Sequence, residues 1–572
     1  MYACGLKRQG GRGWDTEKAL GSAAARVPDL LLGPLLRYAG ASEATVWVET
    51  DAPCEVEVLG CSTPTFRVGG HHYALVHVTG LRPGTVHEYD VRLDGREAWP
   101  EAGSPFPPSV VCTVGRGEAV KLVFGSCRIS APHEVPYTLD LSKDIRGLGV
   151  DALYATAMRL RDEPTGELPQ ALVLLGDQIY AHKPPFDTLD FVRSRRDTND
   201  APGEVVADFE EYARLYRDAW GDPAIRWLLS TVPSAMIFDD HEVGDDCNVS
   251  AAWVEEMRHR PYWNDQIAGG HVSYLIYQHL GNLSPQELAD NDLYAGIKAA
   301  DDAWPLLQNA AHQSHRDSTV ARWSFCRDFG DVRLLVIDSR GGRVLEEGHR
   351  SMVDADEWSW IEERATGGFD HLLGTSLPLM LGPGMHHLQA WNEKLCAGAW
   401  GKRAAEWAEN FRRSQDLDHW ASFHDSFTQM ADLLKSVATG RRGAPPSTVL
   451  VLSGDVHHGY LAEADFQNTK PISRVYQAVC SPLRNALPGK KSRLQSAAWK
   501  RSAALAGRLL SRLAGVGSED LTWRLTHDEL FFDNQVATLE LDGSGATITF
   551  EKAVLDGSGE PVLERLYRRR LA

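Results

Sequence analysis

Three short apolar runs in this chain end abruptly in acidic residues and histidines. The runs are Ala171–Leu175, Ala235–Phe238 and Val449–Leu452. Unbroken runs of this length that are rich in valine, isoleucine and leucine predict strands buried on both faces of a sheet. Because ligands bind outside the carboxyl ends of such strands, the polar residues that follow them are candidate site residues.

The residues that follow these runs are of the types that bind hard metal ions. They are Asp177 and Tyr180 after the first run, Asp239, Asp240 and His241 after the second, and Asp455 and His457 after the third. Oxygen and imidazole ligands suit Mg, Ca, Mn, Fe or Zn. The pattern therefore predicts a metallohydrolase whose ligands come from distant parts of the sequence.

A different pattern, the alternation of apolar and polar residues, fills the region from Leu36 to about Thr113. It is seen in Ala44–Thr50, Cys54–Val58 and Tyr73–Val78. Period-2 runs separated by glycine and proline predict a small antiparallel β-sandwich, similar to fibronectin type III.

Buried strands alternate with helical patterns from Lys121 onward, which predicts an α/β or α+β body. At 572 residues the chain exceeds the usual size of one hydrophobic core. We therefore predict a flexible leader at residues 1–28, the sandwich at 29–115 and one large domain at 116–572.

One late segment, near residues 490–514, is basic and amphipathic. Apolar residues recur there at helical spacing at Trp499, Ala503, Ala506, Leu510 and Leu513. This spacing predicts an ordinary surface helix. A lid over an anionic substrate and a contact with a membrane surface are the two alternatives.

Charge and cysteine content narrow the function classes. The net charge of −19 argues against general nucleic-acid binding, which needs a positive surface. A small anionic substrate stays compatible with it, because a metal centre reverses the sign of the charge locally. Nine scattered cysteines predict reduced thiols. Together with the absence of an apolar leader or a spanning segment, they predict a cytoplasmic protein.

The motifs together resemble the PhoD-like alkaline phosphatases, within the calcineurin-like metallophosphoesterases. The resemblance rests on five motifs that occur in the family's order, which are Val123–Arg128, Gly176–Tyr180, Asp239–Glu242, Ile337–Arg340 and Ser453–His457. It implies a fibronectin-like β-sandwich followed by an αββα core with large insertions. It also implies metal-dependent hydrolysis of phosphate esters, in which a metal-bound hydroxide attacks phosphorus in line.

The resemblance further implies a role for individual residues. The implied metal ligands are Cys127, Asp177, Tyr180, Asp239, Asp240, Asn248, Asp455 and His457. His241 is expected to act as a donor to the leaving group or to a phosphate oxygen, and Arg340 or Arg128 to clamp the phosphate. Two or more metal ions are implied, with Fe(III) and Ca(II) favoured and Mn or Zn as alternatives.

Two questions stay open at the level of sequence. One is whether the substrate, a small anionic phosphate ester, is a monoester or a diester, that is, whether the enzyme is an alkaline phosphatase or a phosphodiesterase. The other is whether the site is active at all, because an inactive metallophosphoesterase-like protein that binds through its β-sandwich is an alternative of a different class. Burying acids together is costly unless they are paired or bound to metal, which favours the enzyme.

Overall fold

The computed structural model describes residues 27–571 except 116, 118, 488, 543 and 544. The predicted leader at residues 1–28 lies outside this part of the chain, apart from its last two residues. The strands are β1 Leu30–Ala39, β2 Glu43–Thr50, β3 Glu55–Val58, β4 Cys61–Pro64, β5 Phe66–Val68, β6 His71–Thr79, β7 Val86–Glu88, β8 Val91–Leu93, β9 Arg96–Trp99, β10 Val110–Cys112, β11 Val120–Gly125, β12 Ala171–Leu175, β13 Ser234–Ile237, β14 Phe325–Phe329, β15 Val332–Ile337, β16 Asp370–Thr375, β17 Thr448–Ser453, β18 Tyr460–Phe466, β19 Arg474–Val479, β20 Leu521–Leu525, β21 Gln535–Leu541, β22 Ala546–Leu555 and β23 Pro561–Leu571.

The α-helices follow the same chain order. They are α1 Ala152–Arg161, α2 Phe186–Arg195, α3 Phe209–Trp220, α4 Pro223–Thr231, α5 Ala251–Arg258, α6 Trp263–Ser273, α7 Pro285–Ala289, α8 Asp292–Ala299, α9 Trp304–Ser314, α10 Ala355–Arg364, α11 Pro383–Cys396, α12 Lys402–Ser414, α13 His424–Ala438, α14 Gly489–Ala498 and α15 Arg501–Leu513. In the described part of the chain, no helix combines the length and the apolar character that crossing a membrane requires.

The N-terminal region is β-rich, as the alternating pattern predicts. Two four-stranded antiparallel sheets, in the orders β1-β2-β6-β5 and β4-β3-β8-β9, enclose a core of their own. Val46 and Val48 of β2 lie in this core together with Val56 and Val58 of β3. Successive residues of a strand point to opposite faces, so Trp47 points the other way.

Trp47 and its neighbours join the sandwich to the rest of the chain. The ring of Trp47 lies 5.2 Å from that of Tyr277, and the Tyr73 hydroxyl is 3.1 Å from the Tyr277 hydroxyl. The guanidinium of Arg37 on β1 donates to the main-chain oxygens of Tyr277 at 2.6 Å and Gln278 at 2.7 Å. The sandwich therefore shares a packed interface with the following region, and the predicted domain boundaries stay a prediction.

Two larger sheets form the core of the following region. Their strand orders are β13-β12-β11-β21-β22-β23 and β14-β15-β16-β17-β19-β18-β20. The first contains the parallel strands β11, β12 and β13, and the second the parallel strands β15, β16, β17 and β19. All three apolar runs of the sequence are strands of these sheets, namely β12, β13 and β17.

Alternation along β17 shows how the layers are arranged. Leu450 and Leu452 pack in one cluster with Leu172 and Leu174 of β12, whereas Val449 and Val451 pack in a second cluster with residues of α10 and α13. The two sheets therefore pack face to face, with helices outside them. This αββα arrangement confirms the predicted fold class, and it brings the carboxyl ends of parallel strands from both sheets to one region.

A candidate metal centre at the strand ends

The turns that follow the strands hold several candidate ligands in an unusual backbone conformation. Cys127 has φ 56°, Asp177 φ 52°, Asn248 φ 61°, Asp455 φ 66° and His457 φ 53°. These are five of the nine non-glycine residues with positive φ in the described part of the chain. Such conformations are uncommon and cost free energy, and they persist where the surrounding structure enforces them, often at functional sites. The backbone conformation of these turns therefore fixes the direction of the candidate ligand side chains.

One group of these side chains joins the two sheets. Ligand atoms of Cys127 after β11, Asp177 after β12 and His457 after β17 all lie within 4.8 Å of one another. The Nδ1 atom of His457 donates to the main-chain oxygen of Asn485 at 2.6 Å, which leaves Nε2 with a lone pair. The group therefore offers one sulfur, one carboxylate and one imidazole ligand.

Tyr180 lies beside this group, as its position after Asp177 predicts. Its hydroxyl donates to Asp177 Oδ2 at 3.1 Å and accepts from the side-chain amide of Asn485 at 3.0 Å. Burial raises the pKa of Tyr180 well above its usual value, and the charge of Asp177 adds to the effect. A cation would be needed to favour the phenolate here.

A second group consists of carboxylates. Ligand atoms of Asp239, Asp240 and Asp455 lie within 4.8 Å of one another. Arg340, which follows β15, lies among them. Its Nε donates to Asp239 at 2.7 Å, its Nη1 donates to Asp418, and its Nη2 lies 3.5 Å from Asp240. One guanidinium therefore compensates only part of the negative charge.

Unpartnered buried oxygens test whether these residues fit metal ions. Among the described residues, Asp177 Oδ1 and Asp239 Oδ2 have no hydrogen-bond partner, although Asp177 is 1% exposed and Asp239 0%. Burial raises the pKa of Asp177, and that of Asp239, well above the usual range for a carboxyl group. Buried carboxylates without partners are costly, and cations compensate them. The combined sulfur, imidazole, phenol and carboxylate donors fit two metal ions.

The imidazole of His241 lies close to Asp177 and Asp240, but at distances too long for hydrogen bonds. Its Nε2 lies 3.9 Å from Asp177 Oδ2 and its Nδ1 3.9 Å from Asp240 Oδ2. Its ring lies 4.4 Å from that of Tyr180 and 4.6 Å from that of His182. Burial lowers the pKa of His241 well below its usual value, with the charge of His182 next in importance, so the imidazole is neutral.

Glu242 fixes the turn that presents Asp239, Asp240 and His241. Its carboxylate accepts the main-chain N–H groups of Gln178 at 2.8 Å and Asp239 at 3.0 Å, which ties the turn after β13 to the turn after β12. Asp239 and Glu242 also cap the short 3₁₀ helix Asp240–Glu242 reciprocally. Glu242 therefore positions the ligands and does not face the centre itself.

Arg128 and Asn248 differ in how they relate to these groups. Arg128 points away, and its guanidinium donates to Asp151 at 2.9 Å and to the main-chain oxygen of Ala219 at 2.7 Å. The structure therefore does not support a role for it as a phosphate clamp. The Asn248 side-chain amide donates to the main-chain oxygen of Arg340 at 3.2 Å, and its role as a metal ligand stays a prediction.

Asp418 and His419 join the site although the sequence did not assign them to it. Asp418 accepts from Arg340, and Nε2 of His419 lies 3.2 Å from Asp455 Oδ2. Burial alone would raise the pKa of Asp455, but His419 and Arg340 lower it. The sequence Asp418-His419 resembles the acid and histidine motifs at the strand ends. It follows helix α12 and not a buried strand, so the strand-end rule does not select it.

Asn485 is the other residue that sequence reasoning missed. It bonds to both His457 and Tyr180, and it follows the buried strand β19. The apolar run of β19 is a signal for a buried strand, and polar residues that follow such a strand are candidate site residues. Asn485 could therefore have been found in this way.

The two groups lie at one side of a large open cleft. The cleft has a volume of about 1640 Å³, and its lining includes Asp240, His241, Arg340, Asp455 and His457. Lys183, Lys491 and several aspartates also line it. Substrate can therefore reach the centre from solvent, past both positive and negative side chains.

Comparisons with known proteins agree with this arrangement. Residues 151–299 match the model of the PhoD-like phosphatases, and residues 27–111 match a domain of unknown function, DUF7800. Among solved structures, one described as the structure of PhoD aligns with a TM-score of 0.56 at 12% identity, over 95% of this chain and 92% of that one. No curated protein matches the chain. The predicted resemblance is confirmed for residues 151–299, and the likeness of fold extends over most of the chain.

Proposed function

We propose that this protein is a metal-dependent phosphoric ester hydrolase. The observation that carries the proposal is the pair of ligand groups, Cys127, Asp177 and His457 beside Asp239, Asp240 and Asp455, at an open cleft. The match of residues 151–299 to PhoD-like phosphatases supports the same activity. The alternative of an inactive binding protein has no comparable observation in its favour, because it does not explain what compensates the buried carboxylates.

Each ligand group suits a cation of different character. Cys127, Asp177, Tyr180 and His457 would hold a ferric-type ion, because thiolate, phenolate and imidazole join one carboxylate there. Asp239, Asp240 and Asp455 would hold a harder divalent ion such as Ca²⁺, with Mn²⁺ or Zn²⁺ as alternatives. Bound ions would supply Lewis acidity and a nucleophile at neutral pH.

The side chains at the cleft supply binding and proton transfer. Arg340 donates from Nε to Asp239 and from Nη1 to Asp418, and its Nη2 lies 3.5 Å from Asp240 without a hydrogen bond, so Nη2 can still donate to a phosphate oxygen. The neutral imidazole of His241 carries one N–H, which can be donated to the leaving oxygen of the ester.

The size of the cleft favours a diester over a monoester. Pockets for small ligands commonly have volumes of about 300–1,000 Å³, whereas this cleft has about 1640 Å³. A cleft of this size can accept an ester with a second substituent on phosphorus. We therefore propose phosphodiesters as the preferred substrates.

Hydrolysis of two nitrophenyl esters tests the proposal. Purified full-length protein is given the phosphate monoester and the bis-nitrophenyl diester, each with and without a chelator. We expect turnover of the diester to exceed that of the monoester, and the chelator to abolish both. Asp177→Asn should abolish turnover, while Asp465→Asn, a change at an exposed aspartate on β18, should preserve it. Chelator-resistant turnover, or full activity of Asp177→Asn, would overturn the assignment.

A further inference from the structure

The basic segment is two helices and not the single helix that its spacing predicts. α14 ends at Ala498 and α15 begins at Arg501, so Trp499, the first residue of the predicted apolar face, lies between the two helices. α15 itself has two apolar faces. One of them packs against α11, where Ala503 lies against Gly384, and Gly507 against His387.

The other apolar face of α15 is open to solvent. Leu505, Leu509 and Leu513 follow at intervals of four residues and are 67%, 63% and 65% exposed. Residues at this spacing lie on one side of a helix, so the three side chains form a continuous stripe. Among the described residues, nothing covers this stripe of leucines.

Two exposed tryptophans extend the stripe. Trp400 is 48% exposed and its indole N–H donates to the main-chain oxygen of Leu513 at 3.3 Å. Trp407 on α12 is 53% exposed, and the ring of Trp391 lies 5.9 Å from Trp400 and 6.0 Å from Trp407. We name Leu505, Leu509, Leu513, Trp400 and Trp407 the leucine–tryptophan surface.

The charge around this surface differs from that of the chain as a whole. Residues 489–518 contain seven lysines and arginines and no acidic residue, in a chain of net charge −19. Arg501, Arg508 and Arg512 are exposed on α15 itself. An exposed apolar stripe bordered by cationic side chains is the arrangement of helices that lie in the interface of a membrane.

We infer that the leucine–tryptophan surface binds the surface of an anionic lipid bilayer. The leucines and tryptophans would enter the boundary between headgroups and acyl chains, while the arginines meet the lipid phosphates. A second copy of the chain fits less well. A twofold interface places the same patch on both partners, and the arginines of the two copies would then face each other.

The helix before α15 borders the cleft. Leu494 on α14 is 59% exposed and also lines the cleft, together with Lys491 and Gln495. The inference itself does not depend on the proposed hydrolysis.

Co-sedimentation with lipid vesicles tests the inference. Full-length protein is mixed with vesicles of phosphatidylcholine alone or of phosphatidylcholine with phosphatidylglycerol. We expect it to pellet with the second and not the first, and salt to weaken binding. In Leu505→Gln/Leu509→Gln, we expect the partition constant to fall by roughly tenfold or more. Leu306→Gln, at a leucine on α9 that is 39% exposed, is the matched control and should bind like the wild type.

The outcomes separate the inference from its rivals. The unfolding temperature of the double variant is compared with that of the wild type. Equal temperatures show that the two exposed substitutions preserve the fold. Absence of binding to the anionic vesicles, or undiminished binding of the double variant, overturns the inference. A wild type that is dimeric in light scattering, with a monomeric double variant and no vesicle binding, also overturns it and assigns the surface to an interface between copies.

Discussion

Gly454, which lies between β17 and Asp455, is the position where a single methyl group should disturb both the fold and the site. A Cβ atom there would lie 2.0 Å from Ser126 Oγ and 2.4 Å from Ser126 Cβ. Ser126 is fully buried, and its hydroxyl accepts the N–H of Asp455 at 2.9 Å and lies 3.3 Å from Cys127 Sγ. In Gly454→Ala, Ser126 must therefore move, and its contacts with the candidate ligands Asp455 and Cys127 are lost.

The expected loss of stability has two parts. Overpacking a buried site costs about 1–3 kcal/mol. Leaving the Asp455 N–H without its acceptor costs about 1–3 kcal/mol more. The free energy of unfolding should thus fall by roughly 2–6 kcal/mol, and turnover should fall with it because Cys127 and Asp455 are no longer held in place.

Thermal unfolding and diester hydrolysis measure the two effects. The control is Gly517→Ala, at a glycine where an added Cβ meets no atom within 4 Å. The double variant Gly454→Ala/Ser126→Gly restores the space but not the hydrogen bond, so it should recover only part of the stability. A Gly454→Ala protein that melts and turns over like the control would refute the reasoning.

Three further predictions concern the centre and the sandwich. Arg340→Met leaves the buried carboxylate of Asp239 without its partner, so we expect the free energy of unfolding to fall by about 3–5 kcal/mol in thermal melts. Tyr180→Phe removes a buried hydroxyl group that bonds to Asp177 and Asn485, so we expect ester turnover to fall and the free energy of unfolding to fall by about 1–3 kcal/mol. Burial alone would lower the pKa of His71, but its hydrogen bond to Glu210 raises it to about 9. This protonation stabilises the fold fully below pH about 6.5, and the stabilisation, roughly 3 kcal/mol, is lost as the pH rises through about 9. His71→Gln should lose less stability over that range.

Each of these predictions has an outcome that contradicts it. An Arg340→Met protein as stable as the wild type would mean that the carboxylates do not need the guanidinium. Full turnover by Tyr180→Phe would remove the tyrosine from the ligand set. Equal alkaline destabilisation of the wild type and His71→Gln would place the titrating group elsewhere.

The strand-end ligands are predictable from sequence because buried strands have a strong local signal. Asp177, Asp240, Asp455 and His457 follow unbroken apolar runs, and parallel strands bring their carboxyl ends to the same edge of a sheet. The β-sandwich is predictable for a similar reason, since its alternating pattern is also local.

Residues whose position depends on tertiary contacts could not be assigned to the site from local sequence patterns. Asp418 and His419 come from a segment between two helices, and its approach to Asp455 depends on how α11, α12 and α13 pack. Arg128 follows a strand as the ligands do, but its long side chain reaches Asp151 instead of the centre. In the basic segment, the predicted spacing begins at Trp499, whereas α15 begins at Arg501.

The metal content of the full-length protein tests the central claim most directly. Wild type, Asp177→Asn and the control Asp465→Asn are purified alike and analysed by elemental mass spectrometry. We expect two or more metal ions per chain in the wild type and the control, and a loss of metal in Asp177→Asn. A metal-free wild type that still hydrolyses phosphate esters, or an Asp177→Asn protein with the full complement of metal, would contradict the claim.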